Sequence, residues 1–343
     1  MGTAVRILDA NLNRLMEGMR VVEEILRFHF ENRQLSAEMK DLRHRLSLLI
    51  REAEKMIKLF SRRNATGDIG RHLPSEPEEV RIGIRDIFAS NASRIKESLR
   101  VLEEFFKLIS KDLSKKAKEL RYDFYDIEKR ISRIFDHNRL REAGPLYPVI
   151  STDRADRKFR EWLAILADSN VGIVQLRMKN AEFREFIKAA RLARKALESK
   201  LLIINDRIDV AILSGADGIH AGQEDITPSQ AETIFGGGLI FGASARNAAE
   251  ADKLQTSGAD YIGLGPIFRT STKKDAAAPL GASAACAIAK KSGHYWAAIG
   301  GITSENISSI KNGFDLFAVS AGIFTGDVKK NLEEFSRLLT GKE

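Results

Sequence analysis

Only one cysteine, Cys286, stands among the 343 residues, so neither an intramolecular disulfide framework nor a cysteine-based zinc cage is available. It sits in the small-residue run ASAACAIAK, which reads as packing rather than as the setting of a nucleophile. Nowhere does the chain approach the roughly 20 consecutive apolar residues of a membrane span. No apolar signal segment opens it either, so the expectation is a cytoplasmic protein with no membrane partner. Disorder is excluded by the opposite abundance: 43% of residues are hydrophobic and 30% charged, the balance of a globular protein. Glycine is scarce in one part only. Five of the 25 glycines precede position 141, and six of the seven prolines lie between 77 and 279.

Charge divides the chain in the same way. Residues 1–141 hold 30 Lys+Arg against 23 Asp+Glu, whereas the remainder holds 25 against 24. The spacing predicts a basic, all-helical part over 1–140 and a part rich in strands and turns over 141–343, with the polar, Gly/Pro-bearing stretch 136–146 (DHNRLREAGPL) as linker.

The helical part contains an internal repeat, 6–58 and 85–135. Asn11, Arg14, Glu17, Arg20, Val21, Glu23 and Glu24 recur as Asn91, Arg94, Glu97, Arg100, Val101, Glu103 and Glu104, and DLRHRL at 41–46 is echoed by ELRYDF at 119–124. A helical hairpin present twice, giving four main helices, is the expected unit. Leu8, Leu12, Leu15, Met19, Val22 and Leu26 follow a 4-3-4-3-4 spacing, as do Phe88, Ala92, Ile95, Leu99, Leu102 and Phe106; these are core stripes of a bundle. The repeated Arg and Glu lie off that stripe. One reading makes them a network buried between the hairpins, where charges must be paired; a second makes them a ligand or partner site on a pseudo-twofold axis, and a third leaves them as plain surface. The basic excess comes without an aromatic stacking platform or a nucleic-acid motif, which argues against nucleic acid as partner.

From 146 onward eight short apolar runs recur with helical segments between them: LYPVIS, VGIVQLR, LLIIND, DGIHAG, LIFGAS, YIGLGP, WAAIGG and LFAVSA. Runs of this kind suit strands covered on both faces. Eight in about 200 residues predict a (β/α)8 TIM barrel, with a doubly wound sheet as the structural alternative. Polar residues gather at the strand ends, where such barrels carry their chemistry. Gln175, Arg177 and Lys179 follow the second strand, Asn205 and Asp206 end the third, Asp225 follows the fourth and Ser244 ends the fifth. The sixth is followed by Thr270, Thr272 and Lys273, the seventh by Gly300-Gly301, and the eighth closes on Val319-Ser320. The double glycine and small serine fit a barrel phosphate site approached by backbone N–H groups. Two carboxylates, Asp206 and Asp225, among Arg177, Lys179 and Lys273 make sense around an anion only with a hard cation between them, and Mg²⁺ held by one or two carboxylates plus phosphates is that cation.

Seven motifs in order, QLR-x-K, IINDR, GADGIHAGQED, G-x-S, GADYIGLGPIF-x-T-x-TK, AIGGI and VSAGIF, resemble those of thiamine phosphate synthases over about residues 146–340. The helical part is similar to an extension found on some members. The resemblance implies an enzyme, a Mg²⁺-dependent transferase that joins 4-amino-5-hydroxymethyl-2-methylpyrimidine diphosphate to a thiazole phosphate and releases pyrophosphate. It places Gln175, Arg177, Lys179, Asn205 and Lys273 on the pyrimidine diphosphate, with Ser244 beside the ring. Asp206 and Asp225 hold the metal. Thr270, Thr272, Gly301, Val319 and Ser320 hold the thiazole phosphate, and Arg177, Lys179 and Lys273 stabilise the leaving pyrophosphate. The chain departs from the pattern at Met178, where an acidic residue is usual, and at Ala221, where a larger apolar one is. A thiazole tautomerase on the same barrel has no diphosphate to hold, which the intact QLR-x-K, ND and QED groups oppose. A phosphate-sensing barrel with a basic helical interaction module is the non-enzymatic alternative. A homo-oligomer is compatible with the sequence, which does not specify one.

Overall fold

The computed structural model describes residues 2–57, 81–235, 238–270, 278–291 and 293–341. The chain divides into two compact units, Met1–Ser132 and Arg133–Glu343.

The first unit carries the four expected helices: α1 (Gly2–Glu24), α2 (Arg33–Met56), α3 (Ile84–Phe106) and α4 (Lys111–Glu142). Both stripes are buried as their spacing requires, from Leu8 on α1 to Leu26 in the wider helical turn Ile25–His29 that continues it, and from Phe88 to Phe106 on α3, and α1 packs against α3. Asn32 caps α2 by accepting the Leu35 N–H.

The expected buried network takes a different form. Arg14, Glu17, Arg20, Arg94, Glu97 and Arg100 are exposed. Their 3-4-3 spacing sets them opposite the apolar stripe, on the exposed side of α1 and α3. Arg20–Glu24 and Arg100–Glu104 are surface ion pairs, both at 2.9 Å. Of the repeated carboxylates, Glu23 and Glu103 are the buried ones, and they sit at the shoulder of the stripe. Each meets an arginine of the next helix within its own hairpin: Glu23 with Arg43 at 3.0 Å and Glu103 with Arg121 at 2.8 Å. Arg43 and Arg121 hold equivalent places in the echoed motif, so the duplication preserved a pair inside each hairpin. Arg45–Asp123 at 2.7 Å and Lys116–Glu52 at 2.8 Å, which cross between hairpins, use other and more exposed residues.

The stretch expected as a linker is mostly helix, because α4 runs to Glu142 and the chain turns only at Ala143–Pro145, with Gly144 at φ +77°. The last turns of α4 belong to the second unit. Leu140 is fully buried in the barrel's inner cluster, and Arg139 pairs with Asp217 at 2.5 Å.

That unit is the TIM barrel. Strands β1 (Leu146–Ser151), β2 (Ile173–Arg177), β3 (Leu201–Asn205), β4 (Gly218–Ala221), β5 (Ile240–Ala245), β6 (Tyr261–Leu264), β7 (Trp296–Ile299) and β8 (Leu316–Val319) close in sequence order, every neighbouring pair parallel. Alternation sorts their side chains. Val174, Ile204, Phe241 and Phe317 face the surrounding helices, whereas Tyr147, Ile173, Ile203, Tyr261 and Ala318 fill the barrel. Asp217, Asp260 and Asp315 precede β4, β6 and β8 and accept the N–H groups of Leu202, Phe241 and Trp296 on the adjacent strands, which pins the N-terminal mouth.

Candidate active site

The same alternation lifts a set of polar side chains to the C-terminal mouth. On β1 and β2, Ser151 and Arg177 are register partners, and the Arg177 guanidinium donates to the Ser151 hydroxyl at 3.1 Å. Asn205 on β3, beside His220 on β4, is buried, and Ser244 on β5 is half-buried. Gln175, one layer deeper than Arg177, is 1% exposed.

Asp206 lies one residue past β3, where parity alone would turn it outward. Its backbone is left-handed, φ +62°, a conformation of about 1–3 kcal/mol for a residue with a side chain. That turn sets its carboxylate 3.4 Å from the Lys179 ammonium and against the carboxylate of Asp225. Burial and then the negative charge of Asp225 push the Asp206 carboxyl above the usual carboxylate range, outweighing Lys179. Asp225 is fixed by the Gly222 N–H, which donates to its Oδ2 at 2.8 Å. Two facing carboxylates with oxygen donors only suit Mg²⁺, which takes few protein ligands and completes its shell with water and phosphate oxygens. Among the described residues no group of three or more His, Cys, Asp or Glu side chains is arranged to hold a metal.

On the other side of the mouth, Gly301 has φ +66°, and a Cβ there would stand 2.3 Å from the Arg269 carbonyl oxygen; only glycine fits this turn. Thr270 is half-buried nearby in sequence. Ser320 precedes the short helix Ala321–Phe324 and accepts the Ile323 N–H. Val319 turns its side chain into the helix-facing cluster, so only its backbone is available to a ligand. Thr272 and Lys273 lie outside the described residues. A separate groove of about 590 Å³ on the helical unit is lined by Lys96, Arg100 and Glu128 among others. Its cations are already paired, Lys96 with Glu128 at 2.7 Å and Arg100 with Glu103 at 2.9 Å, so it offers less to an anion than the barrel mouth does.

Residues 146–323 match the family model described as thiamine monophosphate synthase. A thiamine-phosphate synthase of Prochlorococcus marinus (strain AS9601) is 34% identical over 333 residues, covering 95% of this chain and 92% of its own. The chain belongs to the thiamine monophosphate synthase family. That family is one of transferases, and the match runs through the helical part as well. The thiamine-phosphate synthase of Thermosynechococcus vestitus (strain NIES-2133 / IAM M-273 / BP-1) is 36% identical across 98% of this chain and 95% of its own. Residues 6–130 match the ThiD2 family model. Among solved structures, the thiamine phosphate pyrophosphorylase of Pyrococcus furiosus aligns with a TM-score of 0.53 at 29% identity, covering 59% of this chain and 98% of that one. Among the described residues, no helix is long and apolar enough to cross a membrane.

Sequence reasoning missed four polar groups of this synthase-family barrel. Ser151 was readable from its inward parity at the end of β1. Tyr147, Tyr261 and His220 stand in apolar runs and look like core; all three are buried inside the barrel and hydrogen-bonded. Their signal was the glycine opposite. A Cβ on Gly242 would lie 2.1 Å from the Tyr261 ring, so β5 is hollowed at that point to admit it.

Proposed function

We propose that the barrel joins the aminopyrimidine methyl diphosphate to the thiazole phosphate and releases pyrophosphate. The observation that carries the reading is the pair Asp206 and Asp225 beside Lys179 and Arg177 at the mouth, a cation-seeking site set among anion-seeking side chains. The C–O bond between the exocyclic methylene and the diphosphate breaks, its electron pair leaving with pyrophosphate. The thiazole nitrogen then gives its lone pair to the methylene carbon. An electron-rich aminopyrimidine stabilises the positive charge on that carbon, so the step is dissociative and needs no protein nucleophile.

Arg177, Lys179 and Lys273 would meet the charge that grows on the leaving pyrophosphate. Gln175, Asn205 and Ser244 would orient the pyrimidine. Thr270, Thr272, Gly301, Ser320 and the backbone at Val319 would anchor the thiazole phosphate and hold its nitrogen in line. Asp206 and Asp225 would hold Mg²⁺, which neutralises diphosphate oxygens when bound.

The test is pyrophosphate release by the full chain. It should require both substrates together and should stop when Mg²⁺ is chelated. Release without thiazole phosphate, or at full rate in the chelator, would defeat the proposal. Turnover of the thiazole phosphate alone would point to the tautomerase reading instead.

A further inference from the structure

A file of hydrogen-bonded side chains crosses the barrel interior from β2 to β5. The Gln175 amide Nε2 donates to the Tyr147 hydroxyl at 2.8 Å. The Tyr147 and Tyr261 hydroxyls are 2.8 Å apart, the Tyr261 hydroxyl is 3.2 Å from His220 Nδ1, and His220 Nε2 is 2.9 Å from the Ser244 hydroxyl. Gln175, Tyr147, Tyr261 and His220 are all buried. Glycines make the room: a Cβ on Gly242 would strike the Tyr261 ring, and one on Gly263 would lie 2.9 Å from His220 Cε1. Both ends of the file are residues that the proposed function places on the pyrimidine.

Such a file has a direction. Each tyrosine has one proton to donate, and a neutral imidazole has one N–H and one bare nitrogen. Burial pushes both tyrosine hydroxyls above their ordinary range, so both keep their protons. The buried His220 ring has two hydroxyls as its hydrogen-bond partners, so it keeps one N–H and one bare nitrogen. Only two orders then fill all four links and also use both tyrosine protons. Any other order leaves one tyrosine proton buried without an acceptor in the file. Donation from Gln175 Nε2 selects one order. Tyr147 donates to Tyr261, Tyr261 donates to Nδ1, and the His220 Nε2–H donates to the Ser244 oxygen. With Nε2 held on Tyr147 the Gln175 amide cannot flip, so its carbonyl stays in place as an acceptor beside the second N–H of the same amide. At the other end the Ser244 O–H is a donor.

We propose that Tyr147, Tyr261 and His220 are positioning residues that fix the polarity of Gln175 and Ser244, and thereby select a 4-aminopyrimidine against its 4-oxo analogue. An aminopyrimidine edge shows an amine donor beside a bare ring nitrogen. The 4-oxo compound shows a carbonyl beside an N–H, the inverse. Acceptor and donor fixed in the protein match the first and oppose the second. The selection rests on the pyrimidine reading of the site; the order of protons within the file does not.

Two measurements on the full chain separate these. With thiazole phosphate and Mg²⁺ present, wild type should prefer the 4-amino diphosphate to the 4-oxo diphosphate in kcat/KM. Tyr261→Phe and Tyr147→Phe, checked for native melting, should each lower that preference about tenfold while leaving KM for thiazole phosphate unchanged. Independently, ¹⁵N spectra of histidine-labelled wild type, with the His220 signal assigned by its loss in His220→Gln, should show a bare Nδ1 and a protonated Nε2. The opposite tautomer, a wild-type preference for the 4-oxo compound, or an undiminished preference in folded tyrosine variants would each overturn the inference. If the tautomer is as expected but wild type joins neither pyrimidine, the pyrimidine reading and the selection built on it fall together, and the proton order alone stands.

Discussion

Exchanging Asp206 or Asp225 for asparagine removes a negative charge at almost constant shape. Each loses an oxygen anion from a site whose two carboxylates already press on each other. Turnover at limiting Mg²⁺ should therefore fall by about a hundredfold or more, with the melting temperature unchanged or slightly raised because a like-charge contact has gone. Steady-state assays over a Mg²⁺ series, beside thermal melts, check both halves; near-normal turnover at low Mg²⁺ in both variants would remove the carboxylates from the metal assignment. Much of this layer was legible. Gln175, Arg177, Asn205 and Ser244 fall at inward positions of strands that announce themselves by apolar runs, so parity alone aims them. Asp206 breaks parity and is aimed by its left-handed backbone instead, which no periodicity encodes. Tyr147, Tyr261 and His220 were hard to read because a buried aromatic looks the same in sequence whether or not its polar atom is used, and the glycine that makes room for Tyr261 gains its meaning only once the strands are paired.

Among elements, the paired hairpins separate charge that is needed for stability from charge that is not. Arg121 and Glu103 are about nine-tenths removed from solvent, and Ser114 adds a hydrogen bond to the Glu103 carbonyl. Glu103→Ala strands a guanidinium and should cost about 3–5 kcal/mol, enough to melt a marginal helical unit near ambient temperature. Arg14→Ala and Glu17→Ala act on an open helix face and should stay within about 0.5 kcal/mol of wild type. Chemical denaturation of the full chain, followed through the helical signal, resolves the two classes; a large loss from Arg14→Ala would restore the buried network. The repeat itself was plain in sequence, but which of its charges were buried was not. Arg14, Glu17 and Arg20 keep their identity in both copies although solvent covers them, while the core positions keep only their apolar character, Leu12 becoming Ala92 and Met19 becoming Leu99.

For the whole molecule, the informative feature is where the chain divides. Composition placed the boundary between 140 and 141, within the stretch 136–146 that holds Gly144 and Pro145, because helix breakers mark where a helix stops, and α4 ends at Glu142. Packing divides the chain eight residues earlier, between Ser132 and Arg133, since Leu140 and Arg139 serve the barrel and His137 lies 3.5 Å from Asp260 at its N-terminal mouth. A fragment 141–343 should therefore be less stable than 133–343, by about 2–3 kcal/mol for the lost Leu140 side chain alone. Parallel melts of the two fragments measure it, and equal stability would show that the end of α4 is dispensable.

Asp206 also bears on what happens when such a chain is improved for robustness. A glycine there would relax the left-handed turn and remove a crowded negative charge. Selection of whole-chain libraries for heat resistance alone would enrich glycine at 206 and discard the enzyme while strengthening the protein. Enrichment of aspartate under that regime would mean that the turn costs nothing. Catalysis must then be part of the selection from the first round, because at this position endurance and chemistry draw the sequence in opposite directions.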